Sequence, residues 1–291
     1  MLQIVQRVKL ALLTGPLSTQ KLGASARHPD RTPADLPVLV ASSPPLDHAR
    51  SMRRLLPRLF ALTAAAAFAG SMALFALAWL GLPQVALQRQ PTLPAAAAVA
   101  IDLALLAAFG LHHSLMARDR AKALLLRYWP APLERSLYVA VASAFTVLLI
   151  LAWQPVGPAL WRLSGAPALL LQLTALAGLA ISTVAAMTFD HLHLVGLRQL
   201  LAHERGQPLP PAQFATPGLY RLVRHPMQSG LLLFLWSTPT MTVGGLLFAG
   251  GLTLYILIGL HFEERSLRAS FGADYEAYAA RVPALIPFLR P

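Results

Sequence analysis

Among its 291 residues the chain has no cysteine. That absence excludes disulfides, thiol nucleophiles and every thiolate-held metal or cluster. Charge is also scarce: only 12% of residues are Asp, Glu, Lys or Arg, about half the fraction typical of a soluble domain. An ordinary soluble globular domain is therefore excluded, and so is a disordered polyelectrolyte. Acids are the scarcest of all, 12 against 24 basic residues, for a net charge of +12. Such a balance suits either nucleic acid or a membrane surface, and the placement of the charges decides between them. The sequence shows neither an internal repeat nor a Gly-rich nucleotide loop following a strand.

Long apolar runs are what the chain has instead. Hydrophobic residues make up 56% of it, and the mean hydropathy is +0.57. Leu59 to Leu82 carries no charge and exceeds the roughly 20 residues a helix needs to cross a bilayer core. Pro94 to Met116, Leu137 to Trp153 and Ala166 to Met187 are three further candidates, the first interrupted by Asp102. Met227 to Leu260 is too long for one crossing, because its 34 residues would rise about 50 Å. Pro239 and Gly244–Gly245 lie near its middle, where a turn is expected. It reads as a helical hairpin.

The basic residues test that reading. One side of the alternating loops receives seventeen Lys/Arg, from Arg50 through Arg118, Arg135, Arg198 and Arg224 to Arg290. The other receives Arg89 and Arg162 alone. A single crossing at Met227–Leu260 would carry the C-terminal arginines outside, against the positive-inside rule. The expected architecture is all-α, a polytopic membrane helix bundle with about six transmembrane segments. Its last two form the hairpin, and both termini are cytoplasmic. Nucleic acid drops out as a partner, and the lipid bilayer takes its place. Residues 1–51, rich in Pro, Ser and Ala without an apolar period, read as a disordered basic tail. Residues 52–291 read as the membrane domain.

Polar groups concentrate at the two ends of the hairpin. Gly218-Leu-Tyr-Arg-Leu-Val-Arg-His-Pro226 and Gly230 precede it, and His261-Phe-Glu-Glu264 follows. Glu264, Leu267, Phe271, Tyr275, Tyr278 and Val282 recur every three or four residues, as one helical face does. A hairpin brings Arg224-His225 back beside Glu263-Glu264. Opposite charges at one interface suit a zwitterionic ligand. They equally suit arginines anchored at the interface and balanced by the glutamates.

The order Arg-His-Pro, Gly four residues after Pro226, an apolar hairpin, then Glu-Glu-x-x-Leu-x-x-x-Phe-Gly-x-x-Tyr-x-x-Tyr resembles the membrane methyltransferases of the isoprenylcysteine carboxyl methyltransferase type, which include NnrU-like proteins. The resemblance covers Thr216 to Pro287. Further residues resemble the methanethiol S-methyltransferase branch and extend it from Leu59 to the C-terminus. They are His113-Ser-Leu-Met-Ala-Arg118, Glu134-Arg-Ser-x-Tyr138, Trp153-Gln-Pro155, Trp161, Phe189-Asp190, Gly196-Leu-Arg-Gln199 and Thr238-Pro-Thr-Met-Thr242. Two positions depart from the pattern: Gln228 stands where the wider superfamily often has Tyr, and Gly245 where the thiol branch has His.

The resemblance implies S-adenosylmethionine as cofactor, held without a Rossmann fold by a C-terminal part spanning residues 216–287. Arg224 and His225 suit its carboxylate through charge-assisted hydrogen bonds, and Glu263 or Glu264 its ammonium or ribose. Tyr220, Tyr275 and Tyr278 suit the adenine; Pro226 completes the Arg-His-Pro segment that binds the cofactor, and Gly230 permits close backbone approach. The implied reaction is methylation of a small thiol, methanethiol giving dimethyl sulfide, at the cytoplasmic face of a multi-pass protein in a bacterial inner membrane, with no metal. A thiol must lose its proton, and His113, His193 and Arg198 are the candidates for that step. Met116, Gln199 and Trp236 are candidates for the substrate pocket. Each histidine taken singly also fits an interfacial residue bonded to a backbone carbonyl. A prenylcysteine carboxylate or a lipid is an alternative acceptor for the same fold. A haem- or quinone-binding bundle using His112, His113, His191 or His193 is a non-enzymatic alternative.

Overall fold

Uncharged runs rich in Ala and Leu satisfy their backbone groups internally only as helices when water is excluded, and helices dominate the computed structural model. It describes residues 47–81, 87, 93–116, 118–209 and 214–289. Most of the N-terminal tail and Arg89 lie outside the described residues. The long helices are α1 (Asp47–Trp79), α2 (Ala95–Met116), α4 (Glu134–Ala152), α5 (Gly165–Met187) and α9 (Val243–Ala279). Between them stand the short helices α3 (Asp119–Leu125), α6 (His191–Leu194), α7 (Leu197–Glu204) and α8 (Pro226–Trp236). Five of the described helical segments are long and apolar enough to cross a membrane: Leu55–Trp79, Ala95–Met116, Ala131–Ala152, Gly165–Met187 and Val243–Ala279.

The expected hairpin is present, but its arms are unequal. α8 has 11 residues and α9 has 37, so α8 is shorter than a full crossing. Pro226 opens α8 at its first position, where a missing N–H costs nothing. Pro239 prevents its continuation, because the ring restricts the preceding residue and offers no donor. The reversal falls at residues 237–242 and not at the glycines. Gly244 and Gly245 lie inside the first turn of α9, where Gly245 N–H donates to the N-cap Thr242 Oγ1 at 2.9 Å. Gly244 lets the helix pass close to Val156, whose N would stand 3.0 Å from an added Cβ.

A two-stranded antiparallel ribbon, absent from the all-α expectation, pairs β1 (Ala159–Arg162) with β2 (Thr240–Thr242). It joins the α4–α5 and α8–α9 connections, which places both at one end of the bundle. Trp161 Nε1 donates to Thr238 O there at 3.2 Å. Trp153, fully buried, packs with Trp79, Phe234, Met241 and Phe248 in the principal core. Its neighbour α5 turns Leu169, Leu170, Leu173 and Leu176 outward. Leucines exposed in a row on a 23-residue apolar helix suit a surface that faces lipid.

Asp102 is 0% exposed in mid-helix α2, and burial of a carboxylate requires partners. Its Oδ1 accepts the Gln154 backbone N–H at 2.8 Å, pinning the loop that follows α4. Asp102→Ala strands that N–H and is expected to lower stability by about 1–3 kcal/mol. Asp102→Asn retains the acceptor without a buried charge and is expected to stay within about 1 kcal/mol of the parent. Denaturation midpoints in detergent compare the two; equal losses would remove the hydrogen bond as the cause.

Candidate active site

At the end of the bundle away from the ribbon, the hairpin returns the chain to where it began, and the charged residues meet. The Arg-His-Pro segment leads into α8 and hydrogen-bonds the C-terminal segment through its backbone. Arg224 N–H donates to Pro283 O at 2.8 Å and His225 N–H to Ala284 O at 3.0 Å. Ser229 Oγ reaches Leu285 O at 2.6 Å. Side chains then close the joint. Arg224 Nε donates to Glu264 Oε1 at 2.8 Å, and its Nη1 donates to Ala279 O at 3.0 Å and Val282 O at 2.6 Å. His225 Nε2 lies 2.7 Å from the same Glu264 oxygen. Arg268, one turn beyond, approaches Glu264 Oε2 at 3.3 Å and Glu276 Oε2 at 2.6 Å. The i,i+4 spacing of Glu264 and Arg268 is a signal that reading the chain for motifs overlooked.

Glu263 lies deeper. Its side chain is 0% exposed, and Oε1 stands 3.8 Å from His225 Nδ1. Gln228 Nε2 approaches its other oxygen at 3.5 Å, so the residue standing where Tyr is common in the wider superfamily faces this carboxylate. Neither Glu263 Oε1 nor His225 Nδ1 has a hydrogen-bond partner among the described residues. A buried carboxylate oxygen beside an unpaired ring nitrogen is costly unless something fills the gap. A cationic donor meets that requirement.

The tyrosines form the wall. Tyr278 OH donates to Tyr220 O at 2.6 Å, and Tyr220, packed edge-on to Phe189 at 4.8 Å, reaches Ala185 O at 3.4 Å. Burial pushes the Tyr220 phenol up from its ordinary pKa, so it stays neutral. Tyr275 and Tyr278 pack with Leu267, Phe271, Phe214 and Val282, although the face is not one straight stripe. Gly272, at φ 50° and ψ −124°, breaks the helix between Phe271 and Tyr275, a conformation reserved for glycine.

Three further segments gather beside the cluster. Arg135 Nε donates to Leu194 O at 3.1 Å and Ser136 Oγ to Val195 O at 3.3 Å. Asp190 caps α6 by accepting the Leu192 and His193 N–H groups and pairs with Arg198. Gln199 Nε2 donates to His193 O at 3.1 Å. Gly196, at φ 89°, lies so close to α4 that an added Cβ would stand 2.7 Å from Ser136 N. Met116 and Leu194 both pack on the cluster of Tyr138 and Val139, and His113, buried at 7% exposure, meets the Tyr138 ring edge-on at 6.1 Å.

The site residues named from sequence thus fall into groups. Arg224, His225, Pro226, Glu263, Glu264, Tyr220, Tyr275 and Tyr278 come together at the joint. His113 and Met116 belong to the adjoining histidine–aromatic region, while His193 lies on α6 and Arg198 and Gln199 on α7, with Arg198 engaged by Asp190. Gly230 sits at a helix crossing, where α5 is the backbone that approaches. Trp236 lies at the far end of α8, 42% exposed, with Nε1 on Thr253 Oγ1 at 3.0 Å. A cavity of about 380 Å³ lined by Trp79, Arg162, Gln172 and Ser237 is at the ribbon end, away from the joint.

Methanethiol S-methyltransferase 2 of Bradyrhizobium diazoefficiens is 40% identical over 239 residues, 81% of this chain and 92% of its own length. The chain belongs to the methanethiol S-methyltransferase family. The Mycobacterium tuberculosis member is 42% identical over 67% of this chain and 80% of its own. Nurim of Homo sapiens is 36% identical over 59% of this chain and 69% of its own. No protein-family model and no solved structure matches. The motifs that resemble this methyltransferase family divide between the two ends of the bundle. Trp153-Gln-Pro155, Trp161 and Thr238–Thr242 build the ribbon end, and the remainder build the charged joint and its histidine–aromatic neighbour.

Proposed function

We propose that the chain is an S-adenosylmethionine-dependent S-methyltransferase that converts methanethiol to dimethyl sulfide at the cytoplasmic face of a bacterial inner membrane. The orphaned Glu263 Oε1 beside His225 Nδ1 carries this reading. It is a buried carboxylate oxygen at the joint with acceptor capacity to spare, of the kind the ammonium of a methionine group requires. Glu263, His225 and Gln228 would hold that end of the cofactor, with Tyr275 and Tyr278 as neighbouring aromatic surface. Bound S-adenosylmethionine supplies an electrophilic methyl group. The chain's own part is to hold the acceptor close, exclude water and take the thiol proton. Exclusion of water favours the reaction of a thiolate with a sulfonium, because two opposite charges vanish together, and positioning lowers the barrier further.

Six passes, α8 counted as a short one, put the joint and both termini on the cytoplasmic side. The distribution of basic residues supports this, since Arg118, Arg135, Arg198, Arg224 and Arg268 lie at the joint end and Arg162 at the ribbon end. Purified full-length chain given methyl-labelled S-adenosylmethionine and methanethiol is expected to release labelled dimethyl sulfide into the headspace. No label there, with turnover on a prenylcysteine analogue, would move the assignment to the carboxyl methyltransferase branch.

A further inference from the structure

Beside the joint, α2, α4 and α9 enclose a group of rings with two adjacent histidines in it. His112 stacks on Phe145 at 4.7 Å and 13° and stands edge-on to His113 at 5.2 Å. His113 meets Phe109 at 4.4 Å, Tyr255 at 5.9 Å and Tyr138 at 6.1 Å. Such rings form an apolar wall that suits sulfur, which packs favourably against aromatic edges. The nitrogens inside are undersatisfied. Neither His112 Nδ1 nor His112 Nε2 has a hydrogen-bond partner among the described residues. His113 Nδ1 lies 3.0 Å from Phe109 O, which places its proton on Nδ1 and leaves Nε2 as a lone-pair acceptor. Among the described residues, no hydrogen bond to that Nε2 is made.

We propose that this histidine–aromatic cage is the acceptor pocket, with His113 Nε2 as the base for the thiol and Tyr138 and Tyr255 as the walls that set acceptor size. The proposal rests on the methyltransferase reading above. In the step assigned to His113, the S–H bond breaks, the proton passes to Nε2, and the electron pair stays on sulfur. That sulfur then forms the new S–CH₃ bond, and the bond between the methyl group and the donor sulfonium breaks with its pair left on the donor sulfur. The imidazolium afterwards returns the proton to water. Tyr255 ties this pocket to the joint: it stands eight residues before Glu263 on α9, about 12 Å of helix rise. The titratable or charged groups around His113 are His112 on its own helix, Arg135 and Tyr138 from α4, Tyr255 from α9 and, through Leu194 packed on the cluster of Tyr138 and Val139, His193 beside it in α6.

The test uses full-length protein in detergent, with S-adenosylmethionine binding measured by calorimetry beside headspace turnover. His113→Gln is expected to keep cofactor affinity within about twofold and to lose about 10²–10⁴-fold in kcat at pH 7. Its rate should then climb with pH as the thiol ionises in solution. His113 should also be carbethoxylated by diethyl pyrocarbonate and protected by dimethyl sulfide, read by mass spectrometry. Tyr255→Ala supplies a second reading independent of the base: the kcat/KM ratio of butanethiol to methanethiol should rise at least about 10-fold. A wild-type rate and pH profile in His113→Gln, or an unchanged acceptor ratio in Tyr255→Ala, would overturn the assignment. Equal loss of cofactor affinity in both variants would overturn it too, making the rings structural. If the parent protein methylates no thiol at all, the methyltransferase reading is what fails.

Discussion

Arg224→Ala is expected to cost about 3–5 kcal/mol of stability, the scale for removing one partner of a buried ion pair. The side chain is 8% exposed, and its loss leaves Glu264 Oε1 short of a donor and strands the carbonyls of Ala279 and Val282. Three separate stretches of chain meet on this one guanidinium: the entry to α8, the middle of α9 and the turn after its end. Arg224→Lys keeps the charge but not the planar fork, and should recover only part of the loss. Thermal and denaturant midpoints of the purified variants check this. An unchanged midpoint, with only cofactor affinity reduced, would mean that Arg224 serves a ligand and that the joint is held by its backbone pairs alone.

The second large effect lies at the crossing of α5 and α8. A Cβ added to Gly178 would stand 2.6 Å from Gly230 O and from Phe234 N, and one added to Gly230 would stand 2.5 Å from Gly178 O. These are backbone atoms that no rotamer change can move aside, so the helices must separate. Separation would strain the Ser182 hydroxyl bond to Met227 O, now 2.6 Å, and the Trp79 Nε1 bond to Phe234 O, now 3.2 Å. Gly178→Ala and Gly230→Ala are each expected to cost about 1–3 kcal/mol, and valine at either site more. Gly250→Ala is the control: nothing lies within 4 Å of its Cβ, so the substitution should stabilise α9 by up to about 1 kcal/mol. If all three behave alike, close packing at the crossing is not what the glycines provide.

Residues whose meaning depends on near neighbours were legible without coordinates. An apolar run too long for one crossing and Pro239 in its middle mark a reversal, the proline acting through local backbone sterics. The hairpin follows from them, and with it the meeting of Arg224-His225 with Glu263-Glu264. Other features depend on a partner that the chain order does not show. Gly244–Gly245 look like a turn, yet they admit Val156 beside α9. Arg224 reads as a ligand donor, and the structure adds protein acceptors for its Nε and Nη1. The pairing of β1 with β2 joins residues about eighty positions apart and leaves no local period. Tyr255 is one polar-tipped aromatic in an apolar stretch, and only the approach of α2 turns it towards His113.

The sequence alone determined that this is a helical protein for a lipid environment, which chemistry gathers at its charged end, and which family its motifs resemble. Hydropathy, proline and charge asymmetry act along the chain or against the bilayer, so no tertiary contact is needed to read them. Only the tertiary structure decided how the charges pair, which glycines admit a neighbouring helix, and that two histidines of α2 face tyrosines from α4 and α9. Those outcomes depend on distances of a few ångströms between segments far apart in the chain, where hydrogen bonding and steric exclusion change sharply and periodicity carries no information.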